Sequence, residues 1–241
     1  MLCCFFVCKA NSQDVYNDFS SWYWLQVKYN VNNKTTLNAQ YQCRMNQNAS
    51  SFSKSNLFFS VERKFTKSLS GELLYQFATN HFTDQYSFYG GLTYKIKVKA
   101  FILYIRSAVQ HKRSYFTGQS RLDDPYFEWR NRFRIAYPIG NHWTFSLSTE
   151  PYLFFSSFKP TYFSRIRNVA QASYNLNKFH TLSVFYLVEP TLNSLYTSRN
   201  DYALGVTYQI IIPSKKKEAK NFFHFKSKEE NQKPEKKDTF N

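Results

Sequence analysis

Apolar and polar residues alternate with a period of two along most of this chain. From Thr35 to Met45 one parity reads Thr35, Leu37, Ala39, Tyr41, Cys43 and Met45, and the other reads Thr36, Asn38, Gln40, Gln42 and Arg44. Side chains alternate across a β-strand, so such a segment has one greasy face and one wet face. The same pattern recurs at Tyr86, Phe88, Gly90, Leu92, Tyr94, Ile96 and Val98, and again at Tyr202, Leu204, Val206, Tyr208, Ile210 and Ile212. Eleven such segments can be read, the first over Trp22 to Val31 and the third over Leu57 to Phe65.

Each segment is close to the roughly 9–11 residues that a tilted strand needs to cross a bilayer. Short and long connections alternate between them. Turns near Asn32, Thr66, Lys99, Gly140 and Asn177 are short, and loops near residues 50, 82, 118, 158 and 195 are longer. Transmembrane barrels have short periplasmic turns and longer outer loops. The pattern therefore predicts an all-β, antiparallel transmembrane β-barrel of 10–12 strands. Bacterial single-chain barrels have even strand numbers, which conflicts with a reading of eleven. Either Asp14 to Ser21 adds a short strand or lumen-crossing segment, or one segment is not a strand; ten and twelve both fit.

Composition supports the same picture. The chain has 241 residues, of which 20% are aromatic, with 25 Phe and 19 Tyr. That abundance suits aromatic girdles at two membrane interfaces. Mean hydropathy is only −0.54, because the polar face, loops and tail dilute the greasy face. No run approaches the length of an apolar membrane helix.

Net charge is +16. Residues 13–213 hold 22 basic against 11 acidic residues, whereas the stretch from Ser214 onward holds 9 lysines and 5 acids. The excess is thus mainly in the barrel region, and it suits an anionic surface such as lipopolysaccharide. Residues 1–12 read as a signal peptide, with the apolar core Leu2 to Cys8 and small residues at Ala10 and Ser12. Residues 13–213 are the expected barrel, and 214–241 a basic disordered tail. Beyond the signal only Cys43 remains, on the apolar parity, where inert packing or lipid contact is expected.

The strongest polar feature is Arg130, Arg132 and Arg134 on one strand face, spaced by about 7 Å, twice the strand rise. Arg106, Glu150, Arg165 and Arg167 fall on the same presumed luminal parity, as do Glu128, Glu189, Glu72 and Glu62. Like charges that close need partners. An internal ion-pair network is the plainer reading; an anion-binding or anion-selective lumen, taking a small anionic solute, is the sharper one.

Nothing in the spacing indicates an enzyme, a metal centre or a cofactor. The histidines His81, His111, His142, His180 and His224 are scattered. Only Ser107 with His111, or Ser146 with His142, could be forced into the rim dyad of an outer-membrane lipid-modifying enzyme. Basic and aromatic content also fits a soluble nucleic-acid-binding β-protein. Against that, the aromatics sit on the lipid parity and are not interleaved with basic residues, so no nucleic acid is expected. The expected surroundings are outer-membrane lipids and lipopolysaccharide, with the protein a monomer.

Several segments occur in an order that resembles a known family. They are Ser21-Trp22-Tyr23-Trp24, Gln42-Cys43-Arg44, Tyr104-Ile105-Arg106 with Gln110, Asp124-Pro125-Tyr126 leading into Arg130, Arg132 and Arg134, then Ser148-Thr149-Glu150-Pro151-Tyr152 and Arg165-Ile166-Arg167. Together, over roughly Ser20 to Ile212, they look like the Bacteroidetes outer-membrane β-barrel family catalogued as domain of unknown function 2490. The resemblance implies a bacterial outer-membrane barrel; it brings no activity and no catalytic residues.

Overall fold

A computed structural model describes residues 16–116, 125–156, 160–192 and 199–214. The expected signal segment, residues 215–241 of the tail, and the loops near residues 118, 158 and 195 lie outside these residues. Eleven strands are present: β1 (Tyr16–Asn30), β2 (Thr35–Asn46), β3 (Ser51–Lys64), β4 (Leu69–Thr79), β5 (Thr83–Val98), β6 (Phe101–Phe116), β7 (Tyr126–Ile139), β8 (Trp143–Phe155), β9 (Tyr162–Asn175), β10 (His180–Pro190) and β11 (Arg199–Ile212). They form one closed barrel in which sequential neighbours pair antiparallel.

The closing pair departs from the expectation. β1 and β11 run parallel, with 14 partners in unbroken register from Tyr16 opposite Arg199 to Tyr29 opposite Ile212. The even count fails because residues 16–21 make no separate strand; they extend β1, and β1 then meets β11 in the same direction. An odd number of strands with alternating direction can close in no other way.

Several strands are longer than the alternation indicated. β3 begins at Ser51, in the stretch around the loop expected near residue 50 and six residues before the alternation read from Leu57, and β6 runs on to Phe116, right up to the loop expected near residue 118. Polar residues occupy both extensions, so hydropathy alone cannot mark them; the continuous ladders to β2 and β5 do.

Short polar side chains shape the tight turns. The Asn32 carboxamide oxygen accepts the amides of Lys34 and Thr35, both at 2.8 Å. Asn177 does the same for Phe179 and His180, and Asn80 for Phe82 and Thr83. Such side chains replace a backbone turn bond and stabilise the reversal. Lys99 and Gly140 adopt left-handed backbone in two other turns.

Alternation sorts the two faces as read. Leu25, Leu57, Phe88, Ile105, Phe133, Leu147, Val184 and Leu204 are exposed on the outer wall. Gln42, Asn56, Ala78, Gln110, Glu128 and Glu150 are buried on the inner wall. Trp22 and Trp24 are exceptions to the expected placing of aromatics: they point inward and pack with Phe185, Leu187 and Ala203. The Phe185 ring lies directly over Gly205, where any side chain would collide with it. A side chain there would force the Phe185 ring to move.

Parallel closure predicts a cross-linking pattern. In a background lacking the native cysteines, Tyr23→Cys with Val206→Cys, and Val27→Cys with Ile210→Cys, should both form disulfides under mild oxidation. The exchanged pairs, Tyr23 with Ile210 and Val27 with Val206, should not; antiparallel closure would reverse the result on a non-reducing gel.

Candidate functional site

Seven inward-facing residues were expected to line the interior, and the strands bring most of them together. Arg106 on β6 reaches past β7 to Glu150 on β8, Nη2 to Oε1 2.6 Å. Arg130 on β7 binds the same oxygen at 3.0 Å. Arg165 on β9 contacts Glu128 at 3.0 Å and Glu189 at 3.4 Å, and Arg167 pairs with Glu189 at 2.5 Å. Lys112 on β6 joins Glu128 at 2.6 Å. Glu62 and Glu72 behave differently: they stand opposite each other on β3 and β4 and make no ion pair with the arginine row among the described residues.

Tyr152, only 1% exposed, sits at the centre of this group. Its hydroxyl donates to Glu150 Oε2 at 3.3 Å. Its ring carries the guanidinium groups of Arg165 at 4.1 Å and Arg130 at 4.7 Å. Arg44 on β2 lies 3.8 Å over the Trp22 ring. Aromatic faces attract cations, and more so where water is scarce. Inward aromatics therefore interleave with the basic residues, contrary to the parity argument made from sequence. Register shifts occur beside Arg44 and Tyr152, and such bulges re-aim side chains.

The arginines are also linked by an amide chain that sequence reasoning missed. Arg130 Nη1 donates to Gln110 Oε1 at 2.9 Å. Gln110 then donates to Gln76, Gln76 to Asn56, and Asn56 to Gln42, at 3.3, 3.1 and 2.8 Å. Arg44 Nε closes the far end on Gln42 Oε1 at 3.0 Å. All three amide–amide bonds run in the same direction, an arrangement in which each bond polarises the next. With Trp22, Arg167 and Tyr152 completing the circuit, the belt runs around the inner wall. The signal for it was the inward parity itself: Gln42, Asn56, Gln76 and Gln110 all lie on it. Lys112 was legible in the same way, two residues beyond Gln110.

Arg132 and Arg134 stay outside this network. Glu150 is already occupied by Arg106, Arg130 and Tyr152, and no carboxylate lies within 4.0 Å of either arginine among the described residues. Arg134 has the Tyr104 ring 5.8 Å away.

The serine–histidine pairs considered from sequence are not joined. The Ser107 hydroxyl accepts from the Trp129 indole at 2.9 Å, and the His111 ring packs on Phe127. His142 lies in an exposed turn against the Asn175 carbonyl, while Ser146 is buried on β8. No cluster of metal-ligating side chains occurs among the described residues.

The sequence profile of a family described as "Protein of unknown function (DUF2490)" matches residues 19–196, and the chain belongs to that family. A solved structure titled "Bacterial polysaccharide outer membrane secretin" is similar over 72% of this chain at 8% identity, with a TM-score of 0.48. The chain spans 62% of that structure's length. No curated protein matches.

Removing the shared carboxylate should be costly. Glu150→Gln leaves Arg106 and Arg130 buried without their counter-charge, and loss of about 3–5 kcal/mol of stability is expected, as for other broken buried pairs. Adding Arg130→Gln should restore part of it. Urea unfolding of the detergent-folded variants measures both; an unchanged midpoint for Glu150→Gln would remove the belt from the stability account.

Proposed function

We propose that this DUF2490 member is a non-catalytic β-barrel of the bacterial outer membrane, with an interior narrowed by its charged belt to a passage for small solutes at most. The observation that carries this reading is the outer wall. Large apolar side chains are exposed on every strand, including Leu73 at 71%, Phe88 at 62% and Leu147 at 61%. A contiguous surface of that kind is far larger than soluble monomers tolerate. Lipid satisfies it, and closure leaves no unpaired strand edge, the condition for crossing a bilayer with strands.

Both rims support the same reading. Phe101 with Tyr137 and Trp143 with Tyr174 pair near one end of the barrel, and Phe127 with Phe155 and Tyr86 with Tyr115 near the other. Paired rings at two levels match the girdles that sit at membrane interfaces. Basic residues in excess suit lipopolysaccharide and anionic lipid as neighbours. The belt favours a narrow interior over a wide channel: eight strands are just filled by side chains, whereas sixteen leave an aqueous pore. Eleven strands lie between, and Tyr152, Glu128 and Glu150 are buried on the inner wall.

The test is the mobility of the detergent-folded protein on SDS gels with and without boiling. A heat-dependent shift is expected. Val184→Arg on the outer wall should weaken folding into lipid by about 2–4 kcal/mol if it sits near mid-bilayer. A protein that stays monodisperse without detergent and shows no shift would overturn the membrane assignment.

A further inference from the structure

The carboxylates inside this barrel are unevenly shared: Glu62 and Glu72 face inward opposite each other on β3 and β4 and make no ion pair with the arginine row among the described residues. Glu128, Glu150 and Glu189 are shared among Lys112, Arg106, Arg130, Arg165 and Arg167. Arg132 and Arg134 have no carboxylate within 4.0 Å among the described residues. Arg132 stands directly opposite Arg106 across the β6–β7 ladder, and Arg134 opposite Tyr104. Like charges placed opposite each other on neighbouring strands repel.

Unused donors gather at the same place. Arg106 Nε, Arg134 Nε and the Tyr89 hydroxyl are buried and have no hydrogen-bond partner among the described residues. The Tyr89 ring lies 5.4 Å from the Arg106 guanidinium, and its hydroxyl bends over Gly91, where no side chain intervenes. Buried donors left unpaired are costly, and so is unbalanced charge in a confined interior. Both costs are relieved by one kind of guest. A tetrahedral or planar oxyanion offers several acceptors and negative charge, and guanidinium forks match it in bidentate fashion. The side chains of Arg132 and Arg134 are only half-buried, so this face of the wall is reachable. It lies on the side of the Arg130 belt toward the Ile139 end of β7, the end that carries the short turns.

We propose that Arg106, Arg132 and Arg134, with the Tyr89 hydroxyl, form a binding station for a small soluble oxyanion, a phosphate or carboxylate group, entered from the short-turn end of the barrel. This deepens the proposed function and rests on it. The station makes an unusual demand on stability. Without a ligand, Arg132 is a liability to the fold; with one, it holds the ligand.

The experiment follows thermal unfolding of the full-length, detergent-folded protein while inorganic phosphate is titrated at constant ionic strength. A boiling-dependent gel shift first establishes that each sample is folded. Phosphate should raise the unfolding temperature of the wild type saturably, as any ligand of the native state must. Arg132→Gln and Arg134→Gln should unfold at a higher temperature than the wild type without phosphate, and should weaken phosphate binding at least tenfold. Arg132→Lys keeps the charge but not the fork, and should bind with intermediate affinity. Arg63→Gln, which removes the same charge at an exposed position, should behave as wild type. A folded wild type with no saturable response, or glutamine variants that bind as wild type, would overturn the station. So would a response to vesicles containing phosphatidylglycerol with none to free phosphate, since that assigns the attraction to the outer wall. Absence of the gel shift in the wild type would instead overturn the membrane reading.

Discussion

A strand at the edge of a sheet leaves a row of N–H and C=O groups unpaired, and this chain removes both edges at once by pairing β1 with β11. Closure makes an inside and an outside, and alternation then has something to sort. Every outward residue meets the surroundings, and every inward residue faces an interior shared by all eleven strands. The register decides which inward residues share a level, so the belt, the aromatic cluster and the unpaired arginines all follow from how the ladder is joined.

Inside the closed wall, the buried polar groups find most of their partners among one another. The amide chain links Gln110, Gln76, Asn56 and Gln42, with arginine donors at both ends, and leaves only the Gln42 amide nitrogen without a partner among its described neighbours. Three glutamates are shared among five cations. Apolar filling takes over where charge is absent: Phe185 over Gly205, against Trp22 and Trp24. An interior built this way is rigid at the belt and unbalanced beside it, and the imbalance is where function is expected. Proteins retain costly polar arrangements at sites that do something with them.

Much of the architecture was legible because strand alternation is a local property. Thr35 to Met45 displays its two faces without help from any other segment, and so does Tyr86 to Val98. The inward placing of Arg106, Arg130, Arg132, Arg134, Glu150, Arg165 and Arg167 followed from the same period. Where polar residues lay on both parities, as over much of Ser51 to Asn56, the local signal faded and the start of β3 was missed, although its body from Leu57 was read. Glu62 and Glu72 show a second limit: the right parity does not place a carboxylate beside an arginine.

By itself, then, the sequence determined the class of structure, a set of ten to twelve alternating strands, and which side chains face in, since each depends only on neighbours along one strand. Tertiary structure alone decided the parallel closure, the partners of each arginine and the isolation of Arg132 and Arg134. Those depend on register and bulges across strands far apart in the chain, as between Arg106 and Glu150 or Gln42 and Asn56. A shift of two residues in one ladder would preserve every local pattern and change the pairings that cross it.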